Sequence, residues 1–101
     1  MNAKLNHKGF EPYLIRRTEE LMCDKPAVQY IFRFDNNYGA SVVKNIISDG
    51  YECDLWKLAV INFYDDSDYF DLDYRISITS DVEGCLTDWE VRNLLGKIKA
   101  L

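Results

Sequence analysis

The residues of this chain with the clearest chemical character are five aspartates set among aromatic side chains. Residues 63–74 read Phe-Tyr-Asp-Asp-Ser-Asp-Tyr-Phe-Asp-Leu-Asp-Tyr and contain no cation. Carboxylates are ligands for Ca²⁺, but a calcium-binding loop needs an oxygen ligand at its fifth position and glycine at its sixth. Counted from Asp66, those positions hold Phe70 and Asp71. We therefore expect neither a metal nor a cofactor.

A binding role suits the same stretch better. Aspartates on a strand and its adjoining turn predict a negative ridge, and tyrosines are frequent anchor residues in protein interfaces. The residues predicted to bind a partner, which we name the acidic segment, are Tyr64, Asp65, Asp66, Asp68, Tyr69, Asp71 and Asp73. The alternative is that the charges only keep an edge strand from pairing with other chains.

The other reactive residue types do not indicate catalysis. His7, the single histidine, lies in a polar stretch that fixes no geometry for proton transfer. Cys23, Cys53 and Cys85 are odd in number and widely spaced, which favours neither a disulfide set nor a zinc site. We expect reduced thiols and a non-enzymatic protein. No leader or membrane-length apolar run is visible, so we also expect a cytoplasmic location.

The net charge of −5 is unevenly distributed along the 101 residues. Residues 49–90 hold twelve acids against Lys57 and Arg75, a difference of −10, whereas the rest of the chain holds ten cations and five acids. Direct binding to nucleic acid or to an anionic membrane relies on clustered cations, so neither is expected. The charge favours a protein partner with a basic surface.

The elements that must position the acidic segment are mostly strands. Alternating apolar residues predict strands over residues 28–35, 40–47 and 70–76, and the nearly continuous apolar run at 55–63 predicts a central strand covered on both faces. Asn and Gly at residues 36–39 predict a tight hairpin turn. Short connections between these strands predict a four-stranded antiparallel meander.

The two ends of the chain differ in how clearly they predict structure. Thr87 and Glu90 form a capping-box pattern, and the apolar stripe that follows predicts a helix from about Asp88 to Ala100 packed on one face of the sheet. The stripe consists of Val91, Leu94, Leu95 and Ile98. Residues 1–12 predict a loose arm with His7 in solvent, and residues 13–23 suit a short helix that Pro26 ends. We expect one α+β domain over residues 28–101, preceded by an arm or short helix over residues 1–27.

Several runs resemble a group of small, uncharacterised bacteriophage and prophage proteins. The most specific run is the Tyr-Gly-Ala-Ser-Val turn and strand at residues 38–42, and the resemblance covers about residues 28–101. The further runs that carry it are residues 30–34, 55–60, 78–82 and 86–91. This chain departs from the group at residues 74–77, which read Tyr-Arg-Ile-Ser where a Tyr-Asp-Thr-Pro type is typical, and residues 1–27 look like an addition. The resemblance implies an accessory protein of a mobile element in the bacterial cytoplasm, and no activity.

Acidity and this context together favour a protein that binds a host protein. The expected partner has a basic, nucleic-acid-binding surface, and the expected effect is inhibition of a defence system of the CRISPR or restriction type. Carboxylates along a strand can imitate the phosphates of DNA, so the chain would be a mimic of DNA and not its ligand. The alternative is a structural or assembly component that forms homo-oligomers. A monomer or small homo-oligomer is compatible with the first interpretation.

Overall fold

An antiparallel sheet of six strands carries the fold in the computed structural model, which describes residues 4–22, 25–44, 56–63, 70–72 and 83–101. Within these ranges a single α-helix follows the last strand. The elements are β1 (Leu14–Met22), β2 (Lys25–Arg33), β3 (Tyr38–Lys44), β4 (Trp56–Phe63), β5 (Phe70–Leu72), β6 (Glu83–Leu86) and α1 (Asp88–Lys99).

The strand order follows the chain order from β1 to β5, and β6 pairs with β4 beside Trp56 and Leu58. Strands β1 to β4 are therefore an antiparallel meander, and the predicted α+β fold with a C-terminal helix on the sheet is confirmed. The described strands β2, β3 and β4 lie within or close to the three stretches predicted at 28–35, 40–47 and 55–63. Only the first three residues of the strand predicted at 70–76 are described, as β5.

The helix predicted for residues 13–23 is wrong. Only a short 3-10 turn forms at Glu11–Tyr13, and the chain then continues as β1. Strand β1 pairs with β2 from Leu14 opposite Phe32 to Met22 opposite Lys25. The few apolar residues of this stretch gave a weak helical pattern, and pairing along a whole neighbouring strand overrides so small a local preference. The boundary expected at residue 27 falls inside β2, and Pro26 is its second residue.

One face of the sheet forms the main core beneath α1. Alternate residues of β2, β3 and β4 point into it, as strand geometry requires. From the helix, Val91, Leu95 and Ile98 are fully buried, while Leu94 is only partly buried against them. The apolar stripe of the predicted helix thus faces the core. The buried strand residues of this cluster are Val28, Tyr30, Phe32, Ala40, Val42, Trp56, Leu58, Val60 and Leu86.

The opposite face of the sheet also contains buried residues. Ile31, Ile61 and Phe63 form a second cluster there, and Gln29 donates a hydrogen bond to the Ser41 hydroxyl at 3.0 Å. Strand β4 therefore contributes buried side chains to both faces, which confirms its expected role as a central strand.

The hairpin between β2 and β3 uses the predicted turn residues. Asn37 has a positive φ of 66°, a conformation that asparagine tolerates better than most residues. The turn is closed by the Phe34 amide, which donates to the Tyr38 carbonyl at 2.8 Å. At Gly39 a side chain would collide with the Phe32 carbonyl oxygen, so the close approach of β2 and β3 requires glycine there.

Candidate partner-binding surface

The acidic segment joins two paired strands. Phe63 at the end of β4 lies opposite Phe70 at the start of β5, so both ends of the connection that carries Asp65, Asp66 and Asp68 lie at the same end of this strand pair. Asp71 is in β5, opposite Asn62 of β4. The other predicted residues, Tyr64, Asp65, Asp66, Asp68, Tyr69 and Asp73, lie outside the described residues, as does the side chain of Asp71. Their role as a binding ridge stays a prediction.

Residues of the β2–β3 hairpin surround that end of β4. The Phe63 amide donates to the Asn37 carbonyl at 2.8 Å, which ties β4 to the β2–β3 hairpin. Arg33 lies over the Phe63 ring, with its guanidinium carbon 4.7 Å from the ring centroid, and donates to the Asn37 side chain at 3.2 Å. A cation held over an aromatic face is stabilised by the ring quadrupole. An arginine therefore lies where the acidic connection leaves β4.

The C-terminal end of α1 meets the same hairpin. The side-chain amide nitrogen of Asn36 (Nδ2) donates to three backbone carbonyls, those of Ile98 at 3.0 Å, Lys99 at 3.2 Å and Leu101 at 3.1 Å. Carbonyls of the last helical turn lack partners within the helix, so this side chain serves as its cap. The hairpin, the helix terminus and the ends of the acidic connection thus come together at one end of the molecule.

At the opposite end, the N-terminal arm is fastened to the core, so the expectation of a loose arm is wrong. Leu5 is buried, and its amide donates to the Tyr30 hydroxyl at 3.1 Å. The Asn6 amide donates to one oxygen of Asp88 at 3.2 Å, and the Trp56 indole donates to the other at 2.7 Å. These contacts join Leu5 to β2 and Asn6 to α1, and Asp88 joins α1 to β4.

His7 is part of this fastening and is not a solvated residue. Its ring is partly buried, and its centroid lies 5.7 Å from those of Tyr30 and Phe32. Its Nδ1 atom lies 3.0 Å from the Leu5 carbonyl oxygen. The sequence did not show this role, because the ring contacts join residues more than twenty positions apart.

Lys44 is a buried charged residue that sequence reasoning missed. It is 1% exposed, and its ammonium nitrogen lies 4.2 Å from the centroid of the Trp56 ring. Lysine is almost never fully buried unless it has partners. Its place two residues after the buried Val42, on the inward-facing side of β3, was the available signal.

Trp89 is a second residue that sequence reasoning left out of the binding prediction. It is 65% exposed, the most exposed large apolar side chain among the described residues. It lies in the first turn of α1, away from the stripe of Val91, Leu95 and Ile98. An aromatic residue off the apolar stripe of an amphipathic helix is expected to face solvent, so helical periodicity contained the signal.

Two described groups have shifted pKa values. The pKa of Glu11 is lowered because its carboxylate accepts hydrogen bonds from the backbone amides of Glu11 and Gly9. The Gly9 amide donates to the Glu11 carboxylate at 2.7 Å. The pKa of Arg17 is raised because it donates to the Tyr30 hydroxyl and to Glu19. Both groups lie at the surface, and the second belongs to β1.

The described residues contain neither a cluster of metal ligands nor a membrane-length helix. Among the described residues, no group of three or more His, Cys, Asp or Glu side chains is placed to hold a metal ion. Cys23 and Cys53 lie outside the described ranges, and Cys85 is in β6. Within those ranges no helix has both the length and the apolar character needed to cross a membrane. Comparisons with known protein families, curated proteins and solved structures found no match.

Proposed function

We propose that this protein is a non-enzymatic binding protein that engages a host protein through the acidic segment. The partner carries a basic surface that normally binds nucleic acid, and occupation of that surface inhibits a nucleic-acid-directed defence system in the bacterial cytoplasm. In this role the aspartates take the place of phosphates. Asp65, Asp66, Asp68, Asp71 and Asp73 set orientation and association rate, and Tyr64 and Tyr69 anchor the complex.

The observation that carries the proposal is the segregation of charge. Residues 49–90 hold twelve acids and two cations. Solubility alone does not require such an excess of one charge in one stretch of the chain. A concentrated field of one sign accelerates encounter with a surface of the opposite sign and repels other partners.

The described geometry supports the proposal in one further respect. Pairing of Phe63 with Phe70 holds both ends of the connection on adjacent strands. Bringing the two ends of a binding segment together beforehand reduces the conformational entropy that it loses on association.

The test is neutralisation of the five aspartates to Asn, with a second variant that changes the same five residues to Glu as the matched control. The Asn variant should keep its fold and lose capture of a basic, nucleic-acid-binding protein from bacterial lysate, and added DNA should compete with that capture. The Glu variant keeps all five charges and should retain binding. With the purified partner, the association rate should fall with salt for the natural sequence and lose that dependence in the Asn variant. Unchanged affinity in the Asn variant would refute the acidic segment as the site.

A second candidate function is a structural or assembly component that forms homo-oligomers. Strand β1 favours it, because this nine-residue strand lies at the end of the strand order. Within the described residues its outer side is unpaired, and a strand in that position can pair with another chain. Sedimentation of the purified protein would show concentration-dependent self-association without a host partner.

A further inference from the structure

The edge formed by β1 is open on one side within the described part of the chain. Strand β1 pairs with β2, and the strand order begins with it. Ile15 is 45% exposed, and Arg16, Glu19 and Glu20 are also exposed. A long edge strand is a template for pairing with a further strand, so what its side chains accept or reject decides the partner.

The side chains of β1 are arranged as a charge palindrome. Residues 16–20 read Arg-Arg-Thr-Glu-Glu, with two cations and two acids placed symmetrically about Thr18. If the strand is laid antiparallel against itself with Thr18 opposite Thr18, every cation lies opposite an acid. Such a sequence is complementary to its own copy.

We propose that β1 pairs antiparallel with β1 of a second copy of this chain, about a two-fold axis that passes beside Thr18. Arg16 then lies opposite Glu20 of the second copy, and Arg17 opposite Glu19. The interface is isologous, since the same strand is contributed by both copies. The two six-stranded sheets become one continuous sheet.

The charges select this register over its neighbours. Residues directly opposite one another in an antiparallel pair lie on the same face of the sheet. A two-fold symmetric pairing must therefore place one residue opposite its own copy, and each alternative register places a different residue on the two-fold axis. An axis at residue 17 sets Arg17 against Arg17, and an axis at residue 19 sets Glu19 against Glu19. Like charges directly opposite destabilise a pair, and opposite charges stabilise it.

The existing contacts of β1 are compatible with this arrangement on both faces. Arg17 is paired with Tyr30 across to β2 and already bridges Glu19 of its own strand at 2.9 Å. In the dimer, Arg17 and Glu19 from both copies form a ring of alternating charges on the face of the sheet that packs against α1. Arg16 and Glu20 lie on the opposite face, where the structure shows no hydrogen bond or ion pair for either among the described residues, so they are available for the second copy.

The part of β1 that can pair regularly with a second copy is short, and its length limits the affinity of the dimer. The pairing of β1 with β2 is irregular between Leu14 and Arg16, so by symmetry the regular stretch spans residues 16–20. One short strand pair buries less surface than a standard stable interface. The dimer is therefore expected to dissociate in the micromolar range or above and to show concentration dependence.

The first test is a charge exchange at the two residues without described contacts. Sedimentation equilibrium should show dimers for the natural sequence. Arg16→Glu and Glu20→Arg should each raise the dissociation constant about tenfold or more, because each creates two like-charge pairs. An equimolar mixture of the two variants should recover association as a heterodimer. A monomeric natural protein, or variants that associate unchanged, would overturn the proposal.

The second test reads the register directly by cysteine cross-linking. Residues opposite one another in antiparallel strands have Cα atoms about 4.5 to 5.5 Å apart, within the range that a disulfide spans. Thr18→Cys should therefore form a disulfide between the two copies of position 18 in the presence of oxidised glutathione, identified by mass spectrometry of the linked peptides. Arg16→Cys is the matched control, since the two copies of position 16 lie about 14 Å apart in this register. A cross-link between the copies in the position-16 variant, or none in the position-18 variant, would refute the two-fold axis.

Discussion

Two glycines show how the same residue type can be required at one position and dispensable at another. A Cβ at Gly39 would meet the Phe32 carbonyl oxygen and would lie 2.8 Å from Phe63 Cε2. A Cβ at Gly96 in α1 would meet only Phe10 Cζ, at an ordinary contact distance of 3.8 Å. Neither glycine has a positive φ, so space and not backbone conformation separates them.

Alanine at these two positions should therefore have opposite effects on stability. Gly39→Ala should destabilise by about 3 kcal/mol or more, because β2 and β4 must both move. Gly96→Ala should stabilise by about 0.5 to 1 kcal/mol, since glycine in a helix restricts the unfolded chain least. Urea denaturation of both variants measures the difference. Equal effects would mean that β3 does not lie as close to Phe32 as described.

Glu11 should make the N-terminal arm sensitive to acid. Its pKa is lowered by backbone amides, its own first and that of Gly9 second. A carboxyl whose folded pKa is depressed contributes stability above the pKa of the unfolded chain, and that stability is lost as the pH falls through the folded value. The Gly9 amide resonance should therefore titrate with a midpoint below the ordinary glutamate range. In Glu11→Gln this titration should vanish, and its persistence would assign it to another group.

At the scale of elements, α1 allows capping and core packing to be separated. Thr87 accepts from the Glu90 amide at 3.2 Å, and the Thr87 amide donates to the Glu90 carboxylate at 3.1 Å. The predicted capping box is thereby confirmed. Three residues of the stripe are buried completely, whereas Leu94 is only partly buried.

We expect Thr87→Ala to cost about 1 kcal/mol through the lost cap. Leu95→Ala should cost about 2 to 5 kcal/mol, since it removes a buried side chain and leaves a cavity. Leu94→Ala should cost less than Leu95→Ala, because part of its surface is already in water. Thermal or urea unfolding ranks the three variants, and a silent Leu95→Ala would contradict the packing of α1 on the sheet.

The elements that the sequence predicted correctly are those specified by neighbouring residues. The cap and stripe of α1, the turn at Asn37 and the alternation in β2 all depend on residues within a few positions of one another. Strand β1 was missed because its conformation depends on pairing with β2, and its own charged residues carry no clear period. The arm was missed for the same reason, since Leu5 and Asn6 find partners at residues 30, 88 and 92.

The sequence predicted which residue types make up the candidate site, but only part of how they are arranged in space. The concentration of aspartates is visible in the sequence, and pairing of Phe63 with Phe70 fixes the ends of their connection. The exposure of Trp89 could have been inferred from helical periodicity, whereas the proximity of Arg33 follows only from the fold. The charge palindrome of β1 indicates pairing with a second copy only once β1 is known to be an edge strand of the described sheet.

At the scale of the whole molecule, Asp88 joins three parts of the chain. Asp88→Ala would leave the buried Trp56 indole and the exposed Asn6 amide without their acceptor, and the unsatisfied buried donor costs about 1 to 3 kcal/mol. Stability should fall by that amount, and amides of the arm should exchange faster with solvent. The matched control is Asp35→Ala, an exposed acid in the β2–β3 turn, which should change neither measurement. Slow exchange of the arm in the Asp88 variant would show that the remaining contacts of Leu5, Asn6 and His7 are enough to secure it.

The fastening of the arm to α1 also has a consequence for the order of events in folding. Contacts within the meander close short stretches of chain, whereas Asn6 meets Asp88 across 82 positions and Arg92 across 86. Closing a longer loop costs more entropy, so we expect the hairpins of β1 to β4 to form before the arm and the helix dock together. Substitutions at Leu5 or Asp88 should then accelerate unfolding and leave the refolding rate almost unchanged, the pattern of contacts absent from the transition state. Stopped-flow chevron measurements would resolve the two limbs, and a matching loss in the refolding rate would place the arm in the folding nucleus.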